Sequence, residues 1–80
     1  MRITFQDGDS FEGDDYKEII EKLKRVDSTQ PATIEEYMSR AEIRYLQIDV
    51  KINTSAPKKF IESMEEEGVI KLEGEWQYAI

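Results

Sequence analysis

The chain has no cysteine and no histidine, so its 80 residues cannot form a disulfide bond or an ordinary zinc site. A chain this short must then be held together by one apolar core, for which 39% of its residues are available. We therefore expect a small single domain over residues 1–80. The same absences exclude catalysis by a thiolate or an imidazole.

The first segment predicts a β-hairpin. Ile3 and Phe5 alternate with polar residues, and the turn signal Asp7-Gly8 separates them from Phe11. A two-residue turn would put Phe11 on the opposite face from Ile3 and Phe5. A three-residue loop, with Gly8 in the left-handed conformation, puts all three apolar residues on one face. Burial of these residues therefore favours the three-residue loop.

Two helices are predicted between this hairpin and the middle of the chain. Acidic residues at 14 and 15 mark the start of the first helix, and Thr33 with Glu36 forms a capping box that starts the second at Ile34. Apolar residues at intervals of three and four give each helix a stripe to bury. The first stripe consists of Tyr16, Ile19, Ile20, Leu23 and Val26. The second consists of Ile34, Tyr37, Met38, Ala41 and Tyr45.

After residue 45 the spacing of apolar residues changes from helical to alternating. A half-buried strand is predicted from the alternating residues Leu46, Ile48, Val50 and Ile52. A third helix should follow, with Ser55 as its N-cap, Pro57 in its first turn and Gly68 as the residue that ends it. The residues that it should bury are Phe60, Ile61 and Met64.

The last segment, residues 69–80, predicts a second hairpin around Glu73-Gly74-Glu75. In this register Leu72 faces Trp76 and Ile70 faces Tyr78, which gathers four large side chains on one face. A two-residue turn at 74–75 would divide them between the faces. The predicted fold is therefore α+β: an N-terminal β-hairpin, three helices with a strand between the second and third, and a C-terminal β-hairpin, in the order ββ-α-α-β-α-ββ.

No motif in the sequence carries recognisable catalytic chemistry. The acidic segment 7–15 resembles a calcium loop, but its fifth and sixth positions are Phe11 and Glu12, where an EF-hand needs an oxygen ligand and a glycine. The paired carboxylates at 14–15 and 65–67 lie in hydrophilic stretches with nothing nearby to desolvate them. We expect a protein that is not an enzyme and that uses no cofactor or metal.

Negative charge is concentrated in the two terminal segments. Residues 1–15 carry −4 (one basic and five acidic residues) and residues 61–80 carry −5 (one basic and six acidic), whereas the 45 residues between them sum to +2. If the two hairpins lie side by side, these segments form one negative surface suited to a basic partner. In the third helix, Lys58 and Lys59 lie in the first turn and glutamates lie in the last turn. Charges in these positions are unfavourable with respect to the helix dipole. Their presence despite this cost favours a binding role for them.

The leading hypothesis is a non-enzymatic acidic interaction module, an inhibitor or adaptor that covers a basic, nucleic-acid-binding surface of a larger protein. The candidate contact residues are Asp7, Asp9, Asp14, Asp15, Glu62, Glu65, Glu66, Glu67 and Trp76. A homodimer formed through an unpaired strand edge stays open. No stretch approaches the ~20 apolar residues of a membrane span, so we expect no membrane partner and a cytoplasmic location.

A winged-helix DNA-binding regulator is the alternative hypothesis, because the order helix, helix, strand, helix, hairpin is typical of that fold. Lys51, Lys58 and Lys59 would then contact phosphate. Two features argue against it. The candidate recognition helix and wing are acidic, and about ten residues link the second and third helices where a tight turn of three or four is typical. Direct nucleic-acid binding is therefore not expected.

Three short motifs carry a resemblance to a known family: ITF-x-DG-x-x-F-x-G at 3–13, PAT-x-x-EYM at 31–38 and E-x-G-x-I at 66–70. This pattern resembles a family of small open reading frames of bacteria and their phages or mobile elements. The motifs are structural (a turn, a capping box and a helix stop), so the resemblance brings no activity and no binding residues. It implies an accessory protein of a phage or mobile element.

Overall fold

Three strands and three helices make up residues 1–73, the part of the chain that the computed structural model describes. They are β1 (Arg2–Phe5), β2 (Ser10–Glu12), α1 (Tyr16–Val26), α2 (Ile34–Leu46), α3 (Pro57–Glu66) and β3 (Ile70–Glu73). The strands form an antiparallel sheet in the order β2-β1-β3, so β1 pairs with the strand that lies farthest from it in the sequence. The predicted α+β class and the three helices are confirmed.

The first hairpin has the register that burial of its apolar residues favours. Ile3 lies opposite Phe11, and the backbone N–H of Phe5 donates to the carbonyl of Asp9 at 2.8 Å. Gly8 has a φ of +99°, the left-handed conformation that a three-residue loop requires of this position. The rings of Phe5 and Phe11 meet edge to face, with centroids 5.9 Å apart. The three-residue loop is confirmed.

One apolar core lies between the sheet and the helices. The fully buried side chains include Ile3 from β1, Ile19 and Ile20 from α1, and Phe60 and Ile61 from α3. The ring of Phe60 meets that of Tyr37 in α2 edge to face at a centroid distance of 6.0 Å, so the two helices share the same core. The further core residues are Leu23, Ile34, Met38, Ala41, Ile52, Met64, Ile70 and Leu72.

Three helix residues in the predicted stripes are not fully buried, and one of them is Tyr16, which is half-buried at the start of α1. Val26 is 67% exposed, so its predicted burial is wrong; it is the last residue of α1 and lines a surface cavity. Tyr45 is half-buried and packs against the edge of the core. All three residues lie at the ends of their helices, where fewer elements surround them.

The predicted strand at residues 46–52 is wrong. Helix α2 continues through Leu46, a turn follows at 47–49, and no strand separates α2 from α3 in residues 47–56. Ile52 is buried, but Leu46 and Ile48 are exposed and Val50 is half-buried. The alternating pattern therefore spans a helix end and the turn after it rather than one face of a strand.

A Schellman motif ends α2 without a glycine. The backbone N–H of Val50 donates to the carbonyl of Tyr45 at 2.9 Å, and that of Asp49 donates to the carbonyl of Leu46 at 3.1 Å. Asp49 has a φ of +61°, the left-handed conformation that this position requires. Gly68 holds the same position after α3, with a φ of +78°, and its predicted role as the helix stop is confirmed.

Replacing Asp49 with glycine is expected to raise the free energy of unfolding by about 0.5–1 kcal/mol, because glycine adopts a left-handed φ without a steric cost. The matched control is Gly68→Ala, which puts a side chain into the same conformation and should lower the free energy of unfolding by about 1 kcal/mol. Urea denaturation measures both. An Asp49→Gly protein less stable than the wild type would contradict the role given to Asp49.

Helix α3 begins one residue later than a serine cap requires. Its N-cap is Ala56, which makes no side-chain capping bond, so the prediction of Ser55 as the N-cap is wrong. Pro57 occupies the first helical position, as expected in the first turn, and this fixes residue 56 as the cap. The Ser55 hydroxyl instead donates to Oδ1 of Asn53 at 2.7 Å.

The C-terminal hairpin is predicted on residues that lie partly outside the described chain. Ile70 and Leu72 are both buried from β3, so the predicted sharing of one face by these two residues is confirmed. Their predicted partners, Trp76 and Tyr78, lie outside residues 1–73. In the structure β3 pairs with β1, with Leu72 opposite Ile3, a pairing that the sequence does not indicate.

Candidate functional site

The β1–β2 turn and the α3–β3 turn meet at one end of the molecule. Nε2 of Gln6 donates to the carbonyl of Gly68 at 2.7 Å, and the sheet register sets Phe5 opposite Ile70 beside them. Both turns carry acidic residues. We call the following group the acidic end: Asp7, Asp9, Glu65, Glu66 and Glu67. Asp7 and Glu67 line the same cavity, so the two acidic segments come together here across 60 residues of sequence.

Asp14 and Asp15 lie at the opposite end of the sheet. They follow β2, whose last residue Glu12 pairs with Arg2 at the start of β1. Oδ1 of Asp15 accepts a hydrogen bond from the backbone N–H of Glu18 at 2.8 Å and caps α1. The structure therefore does not join these two aspartates to the acidic end, and Asp15 has a structural role.

The other predicted contact residues belong to α3 or lie beyond the described chain. Glu62 is half-buried and lies one helical turn before Glu66. Oε2 of Glu65 accepts a hydrogen bond from the backbone N–H of Leu72 at 3.3 Å, which links α3 to β3. Trp76 lies outside residues 1–73. Glu65, Glu66 and Glu67 are exposed at the helix end, and no side-chain hydrogen bond is described for Glu66 or Glu67.

The charges of α3 oppose its dipole at both ends. Its first turn contains Lys58 and Lys59 and no acidic residue, and its last turn contains Glu65 and Glu66 and no basic residue. Each such charge costs about 0.3–1 kcal/mol at low salt. Burial of Phe60 and its neighbours outweighs this cost, so the helix forms with its acidic C-terminal end intact.

Replacing Glu66 with lysine is expected to raise the free energy of unfolding by about 0.5–1 kcal/mol. The lysine would complement the helix dipole and would lie four residues after Glu62, in the favourable order for an ion pair. The matched control is Glu35→Lys in the first turn of α2, where an acid suits the dipole, and we expect it to be destabilised. Chemical denaturation compares the two variants. A loss of stability in Glu66→Lys would show that this glutamate is retained for the fold rather than for binding.

An apolar groove lies beside the acidic end. Its first cavity, of about 380 Å³, has an apolar floor that consists of Phe5, Tyr45, Ile48, Val50 and Val69. A second cavity, of about 360 Å³, shares Phe5, Asp7 and Tyr45 with the first and extends to Phe11 and Val26. We call the two cavities together the groove. Its rim is acidic: Asp7 and Glu67 border the first cavity, and Asp7 and Asp9 border the second.

A buried carboxylate, Asp27, lines the second cavity. Its side chain is 2% exposed. Its Oδ1 accepts hydrogen bonds from the hydroxyl and the backbone N–H of Thr29 at 2.7 and 2.8 Å, and its Oδ2 lies 2.6 Å from Nη2 of Arg44. The bonds from Thr29, with a further contribution from Arg44, lower the pKa of Asp27 to about 2. A general acid needs a raised pKa, so this carboxylate serves as a fixed charge that ties the end of α1 to α2.

Residues 27–31 lie between the first two predicted helices and carry no predicted site, so the role of this carboxylate is not predicted from the sequence. The order Asp27-Ser28-Thr29 is a signal for an Asx turn and could have predicted the bonds from Thr29. Nothing local links Asp27 to Arg44, which lies 17 residues later on another helix. The ion pair depends on the packing of α1 against α2.

Within residues 1–73, no group of three or more acidic side chains is placed to hold a metal ion. Two carboxylates of the calcium-like segment instead accept hydrogen bonds from the backbone. Oδ1 of Asp7 accepts from the N–H of Asp9 at 3.0 Å within the β1–β2 turn, and Asp15 caps α1. None of the helices in this part of the chain has the length and apolar character for a membrane span.

Comparison with known proteins identifies no relative of this chain. No protein-family model, no curated protein and no solved structure matches it. The acidic end and the groove are therefore the features from which a function can be inferred.

Proposed function

We propose that the protein is a non-enzymatic interaction module whose acidic end covers a basic surface of a partner protein. The hydrogen bond from Gln6 to Gly68 supports this proposal, because it holds the two acidic turns together on one surface. The formal net charge of −7 favours association with a positively charged partner and speeds the encounter of the two proteins.

The partner surface is of the kind that binds nucleic acid. Such surfaces concentrate lysine and arginine to contact phosphates, and a set of spaced carboxylates presents the same sign of charge to them. The protein would then act as an inhibitor or adaptor that competes with nucleic acid. The resemblance to small phage and bacterial open reading frames is consistent with an accessory role in the cytoplasm.

The test is capture of the partner from a bacterial lysate by the immobilised protein, followed by mass spectrometry. The acidic-end variant carries Asp9→Lys, Glu66→Lys and Glu67→Lys, none of which removes a side-chain bond described above. The control variant carries Glu21→Lys, Glu35→Lys and Glu42→Lys. Each reversal adds two charge units, so both variants change the formal net charge from −7 to −1.

We expect the wild type and the control variant to capture the same basic protein, and added duplex DNA to release it. The acidic-end variant should fail to capture it. Equal capture by the two variants would show that overall charge, and not the acidic end, attracts the partner. Failure of DNA to release the captured protein would contradict competition with nucleic acid.

The DNA-binding alternative is tested by fluorescence anisotropy of a labelled DNA duplex. Lys51, Lys58 and Lys59 are exposed and are the residues that this alternative requires. We expect no binding at low salt. Micromolar affinity that weakens steeply with added salt, and that is lost when the three lysines are replaced, would favour the regulator over the acidic module.

A further inference from the structure

The groove combines an apolar floor with an acidic rim. Ile48, in the first cavity, is 66% exposed, and Val26 in the second is exposed to a similar degree. Exposed apolar side chains grouped in a concave surface with a polar border are typical of interaction sites. The rim continues into the acidic end, because Asp7, Asp9 and Glu67 belong to both.

We propose that the groove binds a basic amphipathic helix of the partner, an inference that rests on the proposed function and specifies the element that makes the contact. The two cavities share Phe5, Asp7 and Tyr45, so they are immediate neighbours. Apolar side chains three or four residues apart on a helix have Cβ atoms about 5–6 Å apart and can fill adjacent cavities. Lysine and arginine on the flanks of the helix would then reach the acidic rim.

The charges of the groove select this occupant. The charge of Asp27 is already neutralised by Arg44, so the unbalanced charge comes from the rim residues Asp7, Asp9 and Glu67. A second copy of this chain would bring the same acidic residues to the contact, where like charges repel. The chain's own residues 74–80 contain one glutamate and no basic residue, so they offer nothing complementary to the rim. A basic amphipathic helix complements both parts of the groove, because its lysine and arginine side chains pair with the acidic rim and its apolar side chains contact the floor.

The inference is tested with a fluorescent peptide of leucine and lysine, about 16 residues long and patterned as an amphipathic helix. Anisotropy measures its affinity for the full-length protein. We expect Ile48→Gln to weaken binding about tenfold, because the glutamine removes apolar contact in the first cavity. The matched control is Ile43→Gln, at an isoleucine within α2 that is 60% exposed and lines neither cavity. This control should change the affinity by less than about twofold.

A second peptide separates the contribution of the floor from that of charge. It keeps every lysine and replaces the leucines with alanine, and we expect the wild type to bind it about tenfold more weakly. Equal affinity for the two peptides, or equal binding by Ile48→Gln and wild type, would overturn the groove inference. If the acidic-end variant then loses binding while its charge-matched control retains it, the proposed function stands without the groove. If those two variants also bind equally, both proposals are wrong.

The fluorescence of Trp76, the single tryptophan of the chain, tests the other occupants. Without peptide, we expect its emission to be the same in Ile48→Gln and in the wild type. A change caused by Ile48→Gln would show that the chain's own C-terminal segment contacts the groove, which would overturn the proposal. The emission without peptide is also measured at several protein concentrations. If it depends on concentration in the wild type but not in Ile48→Gln, a second copy of the chain occupies the groove. That result would also overturn the proposal.

Discussion

Replacing Phe60 with alanine is expected to lower the free energy of unfolding by about 3–5 kcal/mol. The side chain of Phe60 is fully buried, and its ring packs edge to face on Tyr37. Removal of the ring leaves a cavity where α2 and α3 meet and forfeits the transfer free energy of the aromatic group. A chain of 80 residues has a total stability of roughly 4–12 kcal/mol, so this variant should lose much of it.

Urea denaturation followed by circular dichroism measures this loss. The matched control is Phe11→Ala, which removes the same side chain from a half-buried position on the edge strand β2. We expect the control to lose only about 1–2 kcal/mol, because less of its surface is removed from water. A larger loss in Phe11→Ala than in Phe60→Ala would contradict the position of the core between the helices.

Acid is expected to remove about 2 kcal/mol of stability through Asp27 alone. Its pKa is about 2 in the folded protein against an ordinary value of 3.8. A carboxylate whose pKa is lower in the folded state stabilises that state. The contribution is fully present above pH 3.8 and is lost as the pH falls from that value towards 2.

The pH dependence of the unfolding free energy in the wild type and in Asp27→Asn measures this contribution. The two curves should converge as the pH falls through this interval, because protonation removes the charge that the variant already lacks. Arg44→Gln is the informative control: the bonds from Thr29 are the larger cause of the low pKa, so this variant should keep most of the pH dependence. Parallel curves for the wild type and Asp27→Asn would show that this carboxylate is not stabilised by folding.

The parts of the fold that the sequence predicts correctly depend on local signals. The register of the first hairpin follows from the Asp7-Gly8 turn and the need to bury Phe11 with its neighbours. The start of α2 follows from the capping box, in which Oγ1 of Thr33 accepts from the backbone N–H of Glu36 at 3.1 Å. In each case residues within a few positions of one another satisfy the backbone groups of the element, so no distant contact is needed.

The wrong strand at residues 46–52 shows where local patterns fail. An alternation of apolar and polar residues fits a strand, but it also fits the last turn of a helix that runs into a Schellman motif. The usual sign of that motif is glycine at the left-handed position, and here Asp49 takes its place. Because no glycine marks the end of α2, the alternation of Leu46, Ile48, Val50 and Ile52 predicts a strand where the chain forms a helix end and a turn.

The acidic end depends on contacts between distant segments, which the sequence does not reveal. The concentration of charge near both termini identifies Asp7, Asp9 and the glutamates of α3 as candidates. Which of the acidic residues meet is decided by the pairing of β3 with β1 rather than with β2. This pairing brings the turn at 6–9 beside the end of α3 and leaves residues 14–15 at the other end of the sheet. The groove has no sequence signal, because its floor combines residues from β1, α2 and the turns that follow α2 and α3.

Amide chemical-shift mapping locates the surface of the protein that binds a basic helix. Isotope-labelled protein is titrated with the leucine–lysine peptide, and the shift of each backbone amide is followed. We expect the largest changes around the groove and the acidic end, at residues 5–9, 45–50 and 67–69. Changes concentrated at the opposite end of the sheet, around Arg2 and residues 12–15, or spread evenly over the acidic residues of the whole chain, would contradict it.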